Sequence, residues 1–444
     1  MDPTAKPGEG QFELDLGKLD LILAKCNSNG RCQKVCPTYK LTDDLERQSP
    51  LGRIGELRLF RQSGQASADF DVAMSTCLSC RACETACPID LPLGWVYDSG
   101  KLLRHQNVPP TTTEKTLQKN LVSYLGTVSG LEKLHRKLKS HQGSFMQKLV
   151  RSSLVQAVAP RDLKRMEAML PPIDAVPSRV RLPRVTAPSD GGPAVLRVGL
   201  FVGCVGDIAY GSIHDATVRV LAASGCEVHV LVDQVCCGAV HSHVGQADQT
   251  REQLLANAAA FGFGPGARRE PLDAIVSNAA GCGAMLKEAR HYCTEPHVMQ
   301  MSQTVRDVHE LLYSLWHDGL GRQPRLTAIE GLSAVTYQDA CHLRHGQRIA
   351  TQPRWLLSQI PDLRIEEMRD AADCCGGAGV YNMVQPEMSD ALGSGKLAHI
   401  NDTGCDSVAV GNLVCIGQFS WAARRAGQEL KLFHPVELLA RALA

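Results

Sequence analysis

Four short apolar runs in the second half of the chain each end at a cysteine. They are LRVGLFVGC (196–204), AIVSNAAGC (274–282), SAVTYQDAC (333–341) and SVAVGNLVC (407–415). Each run is the length of a buried strand and opens on mostly apolar residues. Between them lie stretches with helical spacing of apolar residues, such as DQTREQLLANAAAFG and EMSDALGSGKLAHI. Strands alternating with helices predict an α/β architecture with a parallel sheet flanked by helices. In such sheets ligands sit beyond the carboxyl ends of strands. Cys204, Cys282, Cys341 and Cys415 all fall there.

The pattern occurs twice. Cys204 to Cys341 spans 137 residues, Cys236 to Cys374 spans 138 and Cys282 to Cys415 spans 133. VCCGAVHSHV is matched by DCCGGAGVYN, and VHELLYSL by PVELLARAL. Self-similarity at this period marks two copies of one unit.

The remainder of the chain differs. Residues 101–185 read as helices (TEKTLQKNLVSYLG, SGLEKLHRKLKSHQ, FMQKLVRSSLVQAV) followed by a Pro-rich linker. This stretch holds sixteen Lys/Arg against five Asp/Glu. Docking on anionic lipid, docking on an acidic partner face and a solvated face of packed helices all stay open for it. Pro and Gly density places a boundary near residue 190. The expected division is an N-terminal domain over 1–100, a basic helical segment and linker over 101–194, and the two repeats over 195–325 and 326–444.

At 444 residues and a formal charge of +1, the chain has room for about three domains and no basic excess that would point to nucleic acid. No run of ~18 apolar residues occurs, so no transmembrane helix is expected. The N-terminus is acidic and polar, without a secretory apolar region, so a cytoplasmic location is expected. Peripheral contact with the cytoplasmic face of the inner membrane would run through 101–185. Eighteen cysteines are then the outlying number. In a reducing compartment they read as metal ligands before disulfides. Cys226, Cys293 and Cys405 lie outside the pattern and read as small buried apolar side chains.

Cys77-x2-Cys80-x2-Cys83-x3-Cys87-Pro88 is a full iron–sulfur run, in which the fourth cysteine serves a second cluster. By that crossed logic Cys36 completes a [4Fe–4S] site with Cys77, Cys80 and Cys83, and Cys87 joins Cys26 and Cys32. Four-thiolate zinc shares the C-x2-C spacing. It seldom uses seven thiolates in two Cys-Pro-terminated runs. In the first run Asn29 stands where another cysteine is expected. Three thiolates suit a [3Fe–4S] centre, and a [4Fe–4S] centre with a non-cysteine ligand is the alternative. The C-x5-C-x3-C-P spacing resembles the three-iron run of succinate dehydrogenase and fumarate reductase iron–sulfur subunits. Each repeat offers four thiols: Cys204, Cys236, Cys237 and Cys282, then Cys341, Cys374, Cys375 and Cys415. Gly238, Gly376 and Gly377 allow the sharp turn that adjacent ligands need. A vicinal disulfide or four inert buried cysteines per repeat are the competing readings.

These motifs, with VGCVGD, NAAGCGAMLKE, YQDACHLRHGQ and FHPVELL, resemble the family that joins a two-cluster ferredoxin domain to two Cys-Cys-Gly domains. That family includes glycolate oxidase iron–sulfur subunits, the anaerobic glycerol-3-phosphate dehydrogenase small subunit, lactate-utilisation proteins and heterodisulfide reductase B subunits. Heterodisulfide reductase modules end in C-x2-C, whereas Met285 and Gln418 stand at those positions here. Four thiolates per repeat suit one cluster each, or a partly occupied site. No G-x-G-x-x-G follows a strand and no P-loop exists, so neither FAD nor NAD is expected on this chain.

The resemblance implies an electron-transfer subunit without a catalytic residue of its own. Electrons would arrive from an FAD-containing 2-hydroxy-acid (glycolate or lactate) dehydrogenase subunit and leave toward a membrane quinone or another acceptor. A thiol/disulfide or quinone reductase acting at a Cys-Cys-Gly cluster is the alternative, and a partner-binding scaffold a third reading. His241, His243, His342 and His345 flank the cysteines as ligands, proton donors or ordinary polar residues.

Overall fold

The computed structural model of the protein describes residues 12–43, 45–152, 155 and 158–444. Its N-terminal part is helical. Helices Leu16–Lys25, Pro50–Ser63, Ala68–Ser75 and Leu93–Asn107 enclose a core of Leu19, Leu23, Ile54, Leu57, Phe70, Met74 and Val96. Helix Pro50–Ser63 shows the local logic. The Ser49 hydroxyl accepts from the Gly52 amide at 3.0 Å, Pro50 opens the first turn, and Gly64 ends the helix with φ 67°. Each choice satisfies or relieves a helix terminus. Ile54, Leu57 and Phe60 recur every three residues and face the core.

In the basic segment, helices Thr112–Asn120, Val128–His141, Phe145–Val150 and Arg161–Met169 follow one another. The helix expected over 145–158 is present to Val150, and much of its remainder lies outside the described residues.

The repeats form two sheets. The first joins β1 (Val185–Thr186), β2 (Leu196–Phe201), β3 (Cys226–Val230), β4 (Ala274–Ser277) and β5 (Val305–Asp307) in the order β1-β3-β2-β4-β5. The second joins β6 (Ala334–Gln338), β7 (Arg364–Glu366), β8 (Ser407–Val410) and β9 (Lys431–Phe433) in the order β7-β6-β8-β9. Without β1 the two orders are the same, and every pairing within them is parallel. Central strands β4 and β8 are buried at every position, as parallel strands covered on both faces must be.

The two sheets share one apolar core. Val198, Val276, Val335, Tyr337, Ala409 and Val436 belong to a single packed cluster. Helix Gly211–Ala223 packs on helix Pro435–Ala442, and helix Val308–Trp316 on helix Gln352–Ser358. The repeated VHELL and PVELL motifs open two of these helices with capping boxes, Asp307 with Glu310 and His434 with Glu437.

Two local expectations need correction. The Pro-rich stretch is not merely a connector, because β1 pairs antiparallel with β3 and Arg179 is 3% exposed. Cys405 is only half-buried: it sits in the turn after helix Pro386–Asp402, where its amide donates to the Thr403 hydroxyl. Cys226 and Cys293 are buried.

Candidate metal centres

Cys36 caps helix Pro37–Leu41, Cys77 and Cys80 lie in the loop after helix Ala68–Ser75, and Cys83 lies in the short helix Ala82–Thr85. Ser79 and Arg81 adopt φ of 50° and 65°, the left-handed region. That backbone coils the loop so that Cys77, Cys80 and Cys83 line one cavity together with Cys36, Arg53 and Tyr97. Burial first, and then the neighbouring thiols, push the Cys80 and Cys83 pKa values well up. Neutral thiols are thus favoured when no cation is present, and a bound metal reverses that balance.

Arg53 tests whether a metal cluster fits. Its guanidinium is 2% exposed and donates to the Ala73 carbonyl at 2.8 Å and the Thr38 hydroxyl at 2.9 Å. A third nitrogen points at the Cys36 sulfur from 3.6 Å. Among the described residues no ion pair joins Arg53 to a carboxylate. A buried cation needs a compensating charge. A cluster held by four thiolates is anionic and supplies it, whereas four neutral thiols do not.

Cys26, Cys32 and Cys87 come together beside the same helical core. Burial, then the Cys26 thiol beside it, pushes the Cys32 thiol up to about 11. Asn29 is exposed and turned to its own backbone. Its Oδ1 accepts from the Arg31 amide at 3.0 Å, and its Nδ2 donates to the side-chain Oδ1 of Asn27 at 2.8 Å. The residue therefore closes the turn into helix Arg31–Lys34 and does not extend toward the cysteines.

In the first repeat Cys204 follows β2, Cys282 follows β4, and their thiols adjoin Cys236 and Cys237. The second repeat places Cys341, Cys374, Cys375 and Cys415 likewise, with the Cys375 and Cys415 sulfurs 2.9 Å apart. Gly238 and Gly376, directly after the paired cysteines, have φ of 95° and 86°. A Cβ there would lie 2.9 Å from Thr250 Cγ2 or 2.8 Å from the Ser389 carbonyl oxygen. The same two residues donate hydroxyl hydrogen bonds to the glycine carbonyls, at 3.2 and 2.9 Å. Only glycine accommodates both the backbone and the approach.

The cysteine sets are not isolated from one another. Leu78, Cys80, Cys341, Cys374 and Tyr381 form one packed cluster, so the Cys36/77/80/83 set abuts the second repeat. A cavity lined by Ser79, Arg81, Asp98, His243, Gly281 and His342 lies between the ferredoxin-type domain and both repeats. Arg81 bridges Glu84 at 2.6 Å and Glu288 at 2.5 Å, tying the N-terminal domain to the first repeat. His342 Nδ1 is 3.6 Å from the Cys341 sulfur, His345 shares a 3.0 Å hydrogen bond with Thr85, and His241 one of 3.0 Å with Gln253.

Comparison with known proteins meets this geometry at the same places. A 4Fe-4S dicluster domain matches residues 22–91, and a Cysteine-rich domain matches twice, at 198–287 and 335–420. The probable glycolate oxidase iron-sulfur subunit of Bacillus subtilis (strain 168) is 32% identical over 430 residues, covering 95% of this chain and 94% of that protein. The chain belongs to the glycolate oxidase iron–sulfur subunit family. The glycolate oxidase iron-sulfur subunit of Escherichia coli (strain K12) is 25% identical over 428 residues, 96% of this chain and 95% of its own length. Lactate utilization protein A of Oceanobacillus iheyensis is 26% identical over 245 residues, 55% of this chain and 96% of its own.

Sequence reasoning missed two cations of this family member's sites. Arg53 lies on an amphipathic helix among other charged residues and carries no local signal. Arg179 lies in the stretch read as linker. It pairs with Asp207 at 2.7 Å and donates to the Gln234 and Gly203 carbonyls at 2.7 and 3.1 Å. One side chain thus holds the loops bearing Cys204 and Cys236. The Asp207 of the VGCVGD motif was the available hint. No helix among the described residues is long and apolar enough to cross a membrane.

Proposed function

We propose that this protein is the electron-transfer subunit of a 2-hydroxy-acid dehydrogenase complex. An FAD-containing partner would oxidise glycolate or lactate, and this chain would carry the electrons to a membrane quinone or another acceptor without being active alone. The reading assigns two centres to residues 1–100, one [4Fe–4S] on Cys36, Cys77, Cys80 and Cys83, and one [3Fe–4S] or [4Fe–4S] on Cys26, Cys32 and Cys87. It assigns up to one cluster to each repeat, over 195–325 and 326–444, with 101–194 joining them and offering its basic face to a membrane or partner. The organic chemistry stays with the flavin, while this chain sets cluster spacing and potential.

The observation that carries the proposal is the packing of Cys80 against Cys341 and Cys374. Ligands of two successive centres in contact give electrons a short step between domains. Cys374→Ala, in the complex with its flavoprotein, is expected to stop electron flow from the hydroxy acid to a quinone analogue. Reduction of the flavin by substrate, followed by its bleaching, is expected to persist. Undiminished flow in Cys374→Ala would overturn the relay.

A further inference from the structure

We propose that the crevice between the N-terminal domain and the two repeats is the binding site for the electron acceptor, and that this acceptor is of the quinone class. This rests on the electron-transfer reading above and goes on to locate and identify the exit. The crevice has a cavity volume of about 200 Å³, room for a single substituted ring rather than a drug-sized ligand.

Its chemistry is divided. Met74, Val380, Tyr381 and Val384 supply an apolar wall, and Lys101 and His243 a polar one. Of the charged residues at the crevice, Arg104 is paired with Asp71 at 2.6 Å and Glu114 at 2.8 Å, whereas Lys101 donates to the neutral Ser79 hydroxyl at 2.8 Å. No unpaired arginine fork is left for a carboxylate or phosphate. His243 carries a buried Nδ1 without a hydrogen-bond partner, its nearest carboxylate oxygen on Asp98 being 3.9 Å away. A flat, neutral ring with two carbonyl oxygens matches both walls: the ring lies on the valines and Tyr381, and the oxygens accept from Lys101 and His243.

Tyr381 connects this site to the cysteines. It packs with Cys80, Cys341 and Cys374, and its hydroxyl donates to the Thr76 carbonyl at 3.0 Å, next to Cys77. A ring seated on Tyr381 is one side chain from two cysteine sets. Behind Lys101 runs a hydrogen-bonded chain. Lys101 Nζ donates to Ser79 Oγ at 2.8 Å, Ser79 to Asp98 at 3.2 Å, and Tyr292 donates to the other Asp98 oxygen at 3.2 Å. Tyr292 in turn is bonded to Ser242. On reduction the acceptor gains two electrons, supplied by the reduced iron–sulfur centres, and two protons on its oxygens, and leaves as the hydroquinone. The chain's residues hold the ring and pass protons from solvent along this line.

The test uses the full-length, cluster-loaded protein under anaerobic conditions and a short-chain decyl-benzoquinone. Calorimetry is expected to show binding that Val384→Trp, which fills the crevice, weakens at least tenfold. Lys101→Met is expected to weaken it severalfold and Lys101→Gln, which keeps a donor, less. In the unaltered protein an azido-benzoquinone is expected to crosslink to residues 68–75 and 378–385, with unlabelled quinone competing; this arm holds should a variant fail to fold. Tight binding retained in folded Val384→Trp, or crosslinks elsewhere, would overturn the location. No quinone binding by a protein that, once reduced with dithionite, still reduces ferricyanide would overturn the acceptor class and leave the relay standing. Failure to pass electrons even to ferricyanide would instead overturn the relay itself.

Discussion

Replacing Arg53 with Gln removes a fully buried guanidinium that faces the Cys36/77/80/83 set while keeping a donor for the Ala73 carbonyl. Its nitrogen stands 3.6 Å from the Cys36 sulfur. Reduction adds one negative charge to the cluster, spread over its volume. Taking that charge at roughly 6 Å from the guanidinium and an effective dielectric constant of about 20, the attraction is about 3 kcal/mol. For a one-electron couple this corresponds to a potential on the order of 120 mV. The cation favours the reduced, more negative state, so its loss should lower the potential. A redox titration followed by EPR of the reduced cluster is expected to show Arg53→Gln about 100 mV below the unaltered protein, and Arg53→Lys in between. Cluster content, checked by iron and sulfide analysis, must be equal in the three proteins. A midpoint that stays within about 20 mV, or rises, would refute the assignment of Arg53 as the cluster's counter-charge.

Three further outcomes follow from particular contacts. Asn29→Ala is expected to leave the EPR spectrum of the oxidised protein unchanged, because Asn29 is bonded to its own turn, and to cost about 1 kcal/mol of local stability as a lost turn hydrogen bond; an altered cluster signal would make Asn29 a ligand. Arg179→Met leaves Asp207, 1% exposed, without its buried partner and is expected to cost about 3–5 kcal/mol in urea denaturation, with Asp207→Asn added to it recovering part of the loss. Burial holds His214, beside Asp215 and Arg181, and His241, beside Gln253, down at about 4. The unfolded chain therefore binds protons that the folded one does not, so stability should fall as pH drops from about 6.5 toward about 4 and be level above 7; urea midpoints equal at pH 7 and pH 5 would contradict this.

The two sheets and the turns that carry the cysteines were legible in local sequence. Strand-length apolar runs ending at Cys204, Cys282, Cys341 and Cys415 become β2, β4, β6 and β8, because a parallel strand buried on both faces can be built only from such runs. Cys-Cys-Gly is equally local: Gly238 and Gly376 combine a left-handed backbone angle with a close approach, to the Thr250 methyl and the Ser389 carbonyl, that leaves no room for a Cβ. Asn29, by contrast, occupies a ligand's place in the spacing, and only its hydrogen bonds show that it closes a turn. What the sequence did not carry is whatever depends on contact between distant segments. Arg53 reads as one more charged residue on an amphipathic helix until the Cys36 and Cys77 loops close over it. Arg179 reads as linker until β1 adds to the first sheet and draws it onto Asp207. The packing of Cys80 on Cys341 and Cys374 joins residues more than 250 positions apart. Periodicity reports which face of an element is buried, whereas the tertiary fold decides what lies against that face, and the path between the centres is made of such contacts.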